Sequence, residues 1–473
     1  MKFFSMTSDG WKSPLSSSAH WYSITIHWID KDFRLQFVLF DLYDAELHST
    51  ADNILKQWNI HLQPLVEKYS PFGIVTDGEA ATQSARATLC STLDMKPIWC
   101  VCHRLNLASK YIVKIEEVED AYKKCKAISK FAKKSTVFGG IFQMLKSKKT
   151  IQLCSASEIR WNSSYNMFKS FLDNKDALEQ ACNQTGYPNR QRLNSRDWSF
   201  IEMASEVLLI IKPEIKFFQA EKVPTISSVL PRLLTLKEII TGLSPRNKIA
   251  LDAVVELEDY FPWLSSWDPP SEEFSILSSA SFLDPRYKDF FFIEDQGKRD
   301  QLVSSIRPAI EQILLPGGPA VEADHSRESP VTIQMRRRSL AAERQGEIER
   351  YLALARDPEV TEDPLNFWRS VRPNDFPTLS QVARRVLCLP ASSTTSERAF
   401  SSAGSVLSKS RTRLSSVSSR SACLINVNRS LISSITELPN LSNDQITAFF
   451  RGEEEGDGEE GEEGEEGDDE PNE

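Results

Sequence analysis

His20-Trp21-Tyr22-Ser23-Ile24-Thr25-Ile26-His27-Trp28 decides the fold class of this chain. From Tyr22 onward apolar and polar residues alternate, the period-two pattern of a strand with one buried face. Apolar, β-branched and aromatic runs flank it at Lys2–Ser8 and Phe33–Leu42, with short polar breaks between them. Three strands joined by short connections predict an antiparallel meander, because a parallel pair needs a long crossover. Outward toward the C-terminus the period changes. Over Thr50–Tyr69, Ile54, Leu55, Trp58, Leu62, Leu65 and Val66 recur at three- and four-residue spacings, which predicts a helix. Phe72-Gly73-Ile74-Val75-Thr76 is then a short buried strand ending at Asp77. A helix over Glu79–Leu93, a strand over Pro97–Val101 and a helix over Leu105–Val118 come next. The order βββ, then αβαβα, predicts an α/β fold with a mixed sheet whose later strands are parallel.

The remainder reads as helix. Phe200–Ile211, Pro231–Gly242 and Ala250–Phe261 are helical stretches, punctuated by Pro213, Pro224, Pro231, Pro262 and Pro269-Pro270. Residues 316–332 have the composition of a flexible loop, and 342–356 that of a short helix. Leu379, Val382, Ala383, Val386 and Leu387 trace one helical stripe. This stripe, with Val417, Leu424, Val427, Leu431 and Ile432, suits either packing on the α/β core or a subunit interface. The chain thus divides into an α/β block over 1–125, a mainly helical insertion over 126–370, a C-terminal region over 371–435 and a disordered acidic tail over 436–473.

At 473 residues the chain exceeds one ordinary domain, and 40% hydrophobic with 26% charged residues is normal for a globular protein. No run of eighteen or more apolar residues and no secretory leader are expected, so no membrane partner is. The net charge of −10 is concentrated at one end. Gly452–Glu473 carries 14 acidic and no basic residues; without them 56 basic residues face 52 acidic ones, a net of about +4. Such a tail cannot bury enough apolar surface to fold. It serves as a solubiliser, or as an electrostatic competitor on a basic nucleic-acid surface. Eight scattered cysteines suggest reduced thiols in a cytosolic or nuclear compartment.

Two carboxylates sit where chemistry gathers in α/β sheets, beyond strand ends. Asp9 is read as closing the first strand and Asp77 as closing the fourth. Each has an ordinary reading as a turn residue or helix cap. Together they suit a hard divalent cation, which takes oxygen ligands, and paired ions about 3.5–4 Å apart drive phosphoryl transfer. Thr394-x-x-Glu397 has the spacing of a capping box before a helical run. Cys100 and His103 invite a zinc reading, but two ligands do not complete a tetrahedral site, and burial under the sheet is the alternative. No complete zinc finger is expected. Arg336-Arg337-Arg338 is either a nuclear signal or a surface loop.

These pieces occur in a telling order. Asp9-Gly10-Trp11-Lys12-Ser13, the meander, His48-Ser49-Thr50 and Asp77 come first. Trp99-Cys100-Val101-Cys102-His103-Arg104-Leu105 and Ile159-Arg160-Trp161-Asn162-Ser163 are second. Next are Pro224-Thr225-Ile226 with Pro231, Leu283-Asp284-Pro285-Arg286-Tyr287-Lys288, Phe376-Pro377-Thr378-Leu379 and Leu389–Ser401 with its Ser396-Glu397-Arg398-Ala399-Phe400-Ser401 block. Arg413-Leu414 and Asn428 close the set. From residue 5 to about 430 the chain resembles the hAT transposases. That resemblance implies an RNase H-like fold, interrupted by a helical insertion and completed by a C-terminal dimerisation region. It implies a catalytic, metal-binding triad of Asp9, Asp77 and Glu397 holding Mg²⁺ or Mn²⁺. It implies DNA contacts from His103, from Arg160 to phosphate, and from Trp161 stacking on a base, where an aromatic face contributes roughly 1–3 kcal/mol. Packing accounts for Trp161 equally well. DNA, a homodimer or higher homo-oligomer, and a nuclear location are the implied partners and place.

The chain departs from the family in two ways. The family's second Asp is usually followed by Asn, with another Asn near; here Asp77-Gly78-Glu79 lacks both amides and adds an acid. A BED-type zinc finger, normal ahead of the first Asp, is expected to be missing. The readings are therefore a metal-dependent strand-transferase, a domesticated non-catalytic DNA-associated or regulatory dimer, and a decaying relic with neither role.

Overall fold

The structure, a computed structural model, describes residues 2–12, 20–44, 49–147, 152–156, 162–267, 271–314, 346–355, 363–371, 375–406 and 416–434. Arg160, Trp161, the loop at 316–332, Arg336–Arg338 and the acidic tail lie outside the described residues.

Three strands open the chain: β1 (Phe3–Lys12), β2 (His20–Ile29) and β3 (Leu35–Asp44). Then come α1 (Ala51–Val66), β4 (Ser70–Thr76), α2 (Ala80–Leu93), β5 (Lys96–Trp99) and α3 (Val101–Ile112). They build one sheet in the order β3-β2-β1-β4-β5. The first three strands are antiparallel neighbours, and β1–β4 and β4–β5 are parallel, as the pattern predicts. Beyond α3 the chain is mainly helical: α4 (Glu116–Lys134), α5 (Thr136–Leu145), α6 (Ser163–Leu172), α7 (Lys175–Gln184), α8 (Ser195–Phe218), α9 (Val229–Leu243), α10 (Ile249–Tyr260), α11 (Glu272–Phe282) and α12 (Gln296–Leu314). The C-terminal part holds α13 over 346–353, α14 (Leu365–Ser370), α15 (Pro377–Leu387), α16 (Thr394–Val406), α17 (Ser416–Val427) and α18 (Arg429–Ser434).

Four readings change. β1 runs on to Lys12, so Asp9 lies inside the strand, paired with Ser23, rather than closing it. β3 starts at Leu35, because Phe33 stands at φ 54 in a turn whose ends are tied by Asp30. The predicted helix over Leu105–Val118 is two helices, broken at Val113–Ile115. α8 runs on through Pro213, deep inside the helix, while α9 starts at Val229 and takes Pro231 in its first turn, where a proline lacks only an N–H that has no partner anyway.

The sheet is covered on both faces. On one, Phe4, Met6, Tyr22, Ile24, Ile26 and Ile74 pack on Ile54, Trp58 and Leu62 of α1 and Ala85 and Leu89 of α2. The other face carries Ser5, Thr7, Ser23, Thr25 and His27, and it too is buried. α15 and α16 lie across it. Three of these side chains find partners: Thr7 Oγ1 lies 3.2 Å from His27 Nε2 and 3.1 Å from Ser396 Oγ, and Ser5 Oγ lies 3.3 Å from Cys388 Sγ; the Ser23 and Thr25 hydroxyls have none among the described residues. The stripe Leu379, Val382, Ala383, Val386 and Leu387 is buried inside the chain's own core, so it packs at home and offers no subunit interface.

Candidate active site

The parallel ladder sets the site. Thr7 of β1 stands opposite Val75 of β4. Side chains alternate along a strand, so two residues on, Asp9 and Asp77 leave neighbouring strands on the same side at the same level. Asp77 comes just past the end of β4 and accepts a 3.2 Å hydrogen bond from the Glu79 amide; Asp9 accepts one of 2.9 Å from the Gly10 amide. The third acid arrives with α16, whose first turn carries Glu397 and is pinned to β1 by Ser396 and Thr7. Thr394 is the first helical residue and its hydroxyl pairs with Ser392 at 2.8 Å, so the capping box proposed for Thr394 and Glu397 does not form. Glu397 is left without the capping role that its spacing suggested.

The carboxyls feel one another. Burial first, then Asp77, Glu397 and Glu79, hold the Asp9 carboxyl well above the usual carboxylate range. Burial and then the Glu79 charge raise Asp77, against the Glu79 amide and the Arg86 guanidinium. Burial and then Asp77 push Glu397 up to about 8. Taking carboxylates out of water without a cation costs free energy, and protonation is the response. Three such oxygen donors are the chemistry that a hard divalent cation takes. Among the described residues, no three His, Cys, Asp or Glu side chains stand as a ready ligand set.

The sequence reading noted the extra acid Glu79 but not the other residues that surround the site. Glu79 stands ahead of α2 as a fourth acid; its carboxylate accepts from Tyr22 Oη at 3.1 Å and Thr82 Oγ1 at 3.3 Å. Its place two residues after Asp77 was the available signal. Arg86 backs the site, donating to Thr76 Oγ1 at 3.1 Å and the Ile98 carbonyl at 2.9 Å. Gly78 is tight: a Cβ there would come 2.9 Å from the Trp99 ring. Nothing local in the sequence announces Tyr22, because strand pairing places it.

Cys100 and His103 separate into two roles. The Cys100 thiol is fully buried and accepts hydrogen bonds from the His103 and Ser393 amides, both at 3.4 Å. Burial pushes it up to about 11. It therefore ties the start of α3 to the segment that leads into Glu397. The His103 ring is half-buried in the first turn of α3, and burial, then Lys110, lower its pKa.

Known proteins share these elements. Residues 347–428 match the hAT family C-terminal dimerisation region, and residues 98–207 match the ZBED1 RNase-like helical domain. The protein named "Putative AC transposase" from Zea mays is 25% identical over 477 residues, covering 87% of this chain and 55% of that protein. The zinc finger BED domain-containing protein RICESLEEPER 2 of Oryza sativa subsp. japonica is 24% identical over 345 residues, covering 64% of this chain and 46% of that protein. The chain thus spans about half the length of the curated relatives it matches.

Proposed function

The chain is of hAT transposase descent, and from that premise we propose that it is a nuclear, DNA-binding, dimer-forming protein built for metal-dependent DNA cleavage and strand transfer on an RNase H-like sheet. The observation that carries this reading is the convergence of Asp9 from β1, Asp77 from the end of β4 and Glu397 from α16 into mutual electrostatic range. These three would hold Mg²⁺ or Mn²⁺. Such an ion, when bound, polarises a phosphate and activates a water or a 3′-hydroxyl. The chain's own residues keep the carboxylates in place: Ser396 and Thr7 fix the first turn of α16, and the amides of Gly10 and Glu79 orient Asp9 and Asp77. Arg160 and Trp161, with His103, are the proposed DNA contacts. A homodimer through the matched C-terminal region uses α17 and α18, where Ile425 is exposed and Leu424, Val427, Leu431 and Ile432 are half-buried.

Glu79 favours a second reading. A fourth acid held beside Asp77 by Tyr22 and Thr82 fits a domesticated, non-catalytic DNA-associated dimer. One experiment separates the two. Labelled duplex DNA is incubated with the protein and Mn²⁺ or Mg²⁺. Divalent-dependent cleavage that Glu397→Gln abolishes, with an unchanged melting temperature, supports catalysis. DNA binding without cleavage supports the second reading, and neither binding nor cleavage removes both.

A further inference from the structure

A groove lies between α3, α4 and the start of α6, with a volume of about 320 Å³. Its lining includes Asn106, Lys110, Lys114, Tyr122, Lys126 and Asn162. Residues seven apart fall on the same face of a helix after two turns. His103 and Lys110 are so spaced on α3, and the Lys110 charge is felt at the His103 ring. One helix face therefore runs from the segment beside Glu397 to this groove.

Its chemistry is cationic. Lys110 and Lys114 form no ion pair among the described residues. Glu256 is near enough to feel Lys114. Lys126 lies over the Tyr122 ring at 5.5 Å. The one acid in the lining, Glu119, is paired with Lys123 at 2.9 Å. The N-terminus of α6 opens here, and its N-cap residue Asn162, at φ 59, makes no side-chain cap hydrogen bond. Helix N-termini favour anions. Independently, Asn106 is only 8% exposed, lines the groove and has no hydrogen-bond partner for its side-chain amide among the described residues. Its amide opens onto the groove rather than being cut off from water, so a ligand with hydrogen-bonding oxygens would replace water there.

We propose that this groove is a nucleic-acid backbone site, in which Lys110, Lys114 and Lys126 face successive phosphates and Asn106 hydrogen-bonds a phosphate or sugar oxygen. The lysines are spread over α3, the turn after it and α4, which suits a polyanion better than a small anion. The inference rests on the proposed DNA binding and adds a track that leads away from the three acids.

The test uses the full chain, a fluorescent random-sequence duplex and binding isotherms over a salt series. Each phosphate contact contributes a slope of roughly 0.9 to the fall of log K with log salt. The variant carrying Lys110→Gln, Lys114→Gln and Lys126→Gln should flatten that slope by roughly 2–3. Asn106→Ala should weaken binding severalfold without changing the slope. A control with Lys31→Gln, Lys56→Gln and Lys68→Gln, all exposed and away from the groove, should leave the slope as it was. A groove variant that melts like the parent and keeps its slope overturns the site while leaving the DNA-binding reading intact. An equal loss in the control also overturns it, since net charge alone would then act. If the parent chain binds no DNA, both readings fall.

Discussion

His27 is the outward-facing polar residue of an alternating strand that turns out to be buried, with only Thr7 Oγ1 as its hydrogen-bond partner among the described residues. Burial lowers its pKa from 6.5 to about 3. The folded chain thus binds fewer protons than the unfolded one between those values. This group's contribution to stability is present above about pH 6.5 and is lost as pH falls toward 3, at roughly 1.4 kcal/mol per unit. His27→Gln should remove that slope, so the gap between variant and parent in urea unfolding should narrow by roughly 2 kcal/mol between about pH 7 and pH 5. Parallel curves would contradict it. Arg104 is a second residue whose role the sequence hid. At 1% exposure it donates to both Glu273 oxygens, to the Tyr260 carbonyl at 3.1 Å and to the Trp99 carbonyl at 2.9 Å. Its guanidinium sits 4.1 Å over the Phe261 ring. Arg104→Ala strands the Glu273 carboxylate and should cost about 3–5 kcal/mol by thermal or urea unfolding; a loss below about 1 kcal/mol would show that α10 and α11 do not depend on it.

Whole elements are held by a few such residues. α17 reaches the sheet edge through Asn428, immediately beyond its end. Asn428 Nδ2 donates to the Leu39 carbonyl at 2.9 Å, and the Leu39 amide donates to Asn428 Oδ1 at 2.9 Å. One side chain thereby pairs the Leu39 backbone on the outer edge of β3. Arg420 of α17 adds an ion pair to the buried Asp41, which His61 of α1 also meets at 2.8 Å. These partners hold the Asp41 carboxyl below the usual range despite its burial. Asn428→Ala should lose about 1–3 kcal/mol and speed hydrogen exchange at the Leu39 amide; unchanged exchange would mean that α17 and α18 are held by other contacts. The Leu283–Lys288 segment is a structural knot of the same kind. Asp284, fully buried, pairs with Arg286 at 2.7 Å and accepts from Ser227 at 2.7 Å, while Lys288 donates to the Tyr351 and Leu354 carbonyls of the α13 segment.

For the molecule as a whole, association and charge are the measurable properties. The hydrophobic stripe of α15 is spent inside the chain, so a dimer must rest on other C-terminal residues. Light scattering at micromolar concentration should give a dimer mass, and Ile425→Glu should shift it toward the monomer; a monomeric parent would dismiss the proposed interface. The proposed DNA binding gives the acidic residues of Gly452–Glu473 a measurable consequence. Removing them should tighten binding at low salt and have little effect at high salt, because like charges compete only where screening is weak. Equal affinities at low salt would leave the tail a solubiliser.

What the linear chain determined by itself was local and periodic. Alternation marked β2, apolar and aromatic runs marked β1 and β3, three- and four-residue spacing marked α1, and short links made the meander antiparallel. These are readable because hydrophobic period and linker length act within a few residues. The order of motifs carried the family resemblance, and with it the choice of Asp9, Asp77 and Glu397. Only the tertiary structure decided which faces are covered and which side chains meet. A polar strand face became buried because α15 and α16 close over it. The capping spacing at Thr394 and Glu397 lost its meaning because Ser392 engages the threonine. Tyr22 joined the acids because β2 and β1 lie side by side, and Arg86 because α2 folds back along β4. Electrostatic coupling depends on distance in space, and a sequence records distance along the chain alone.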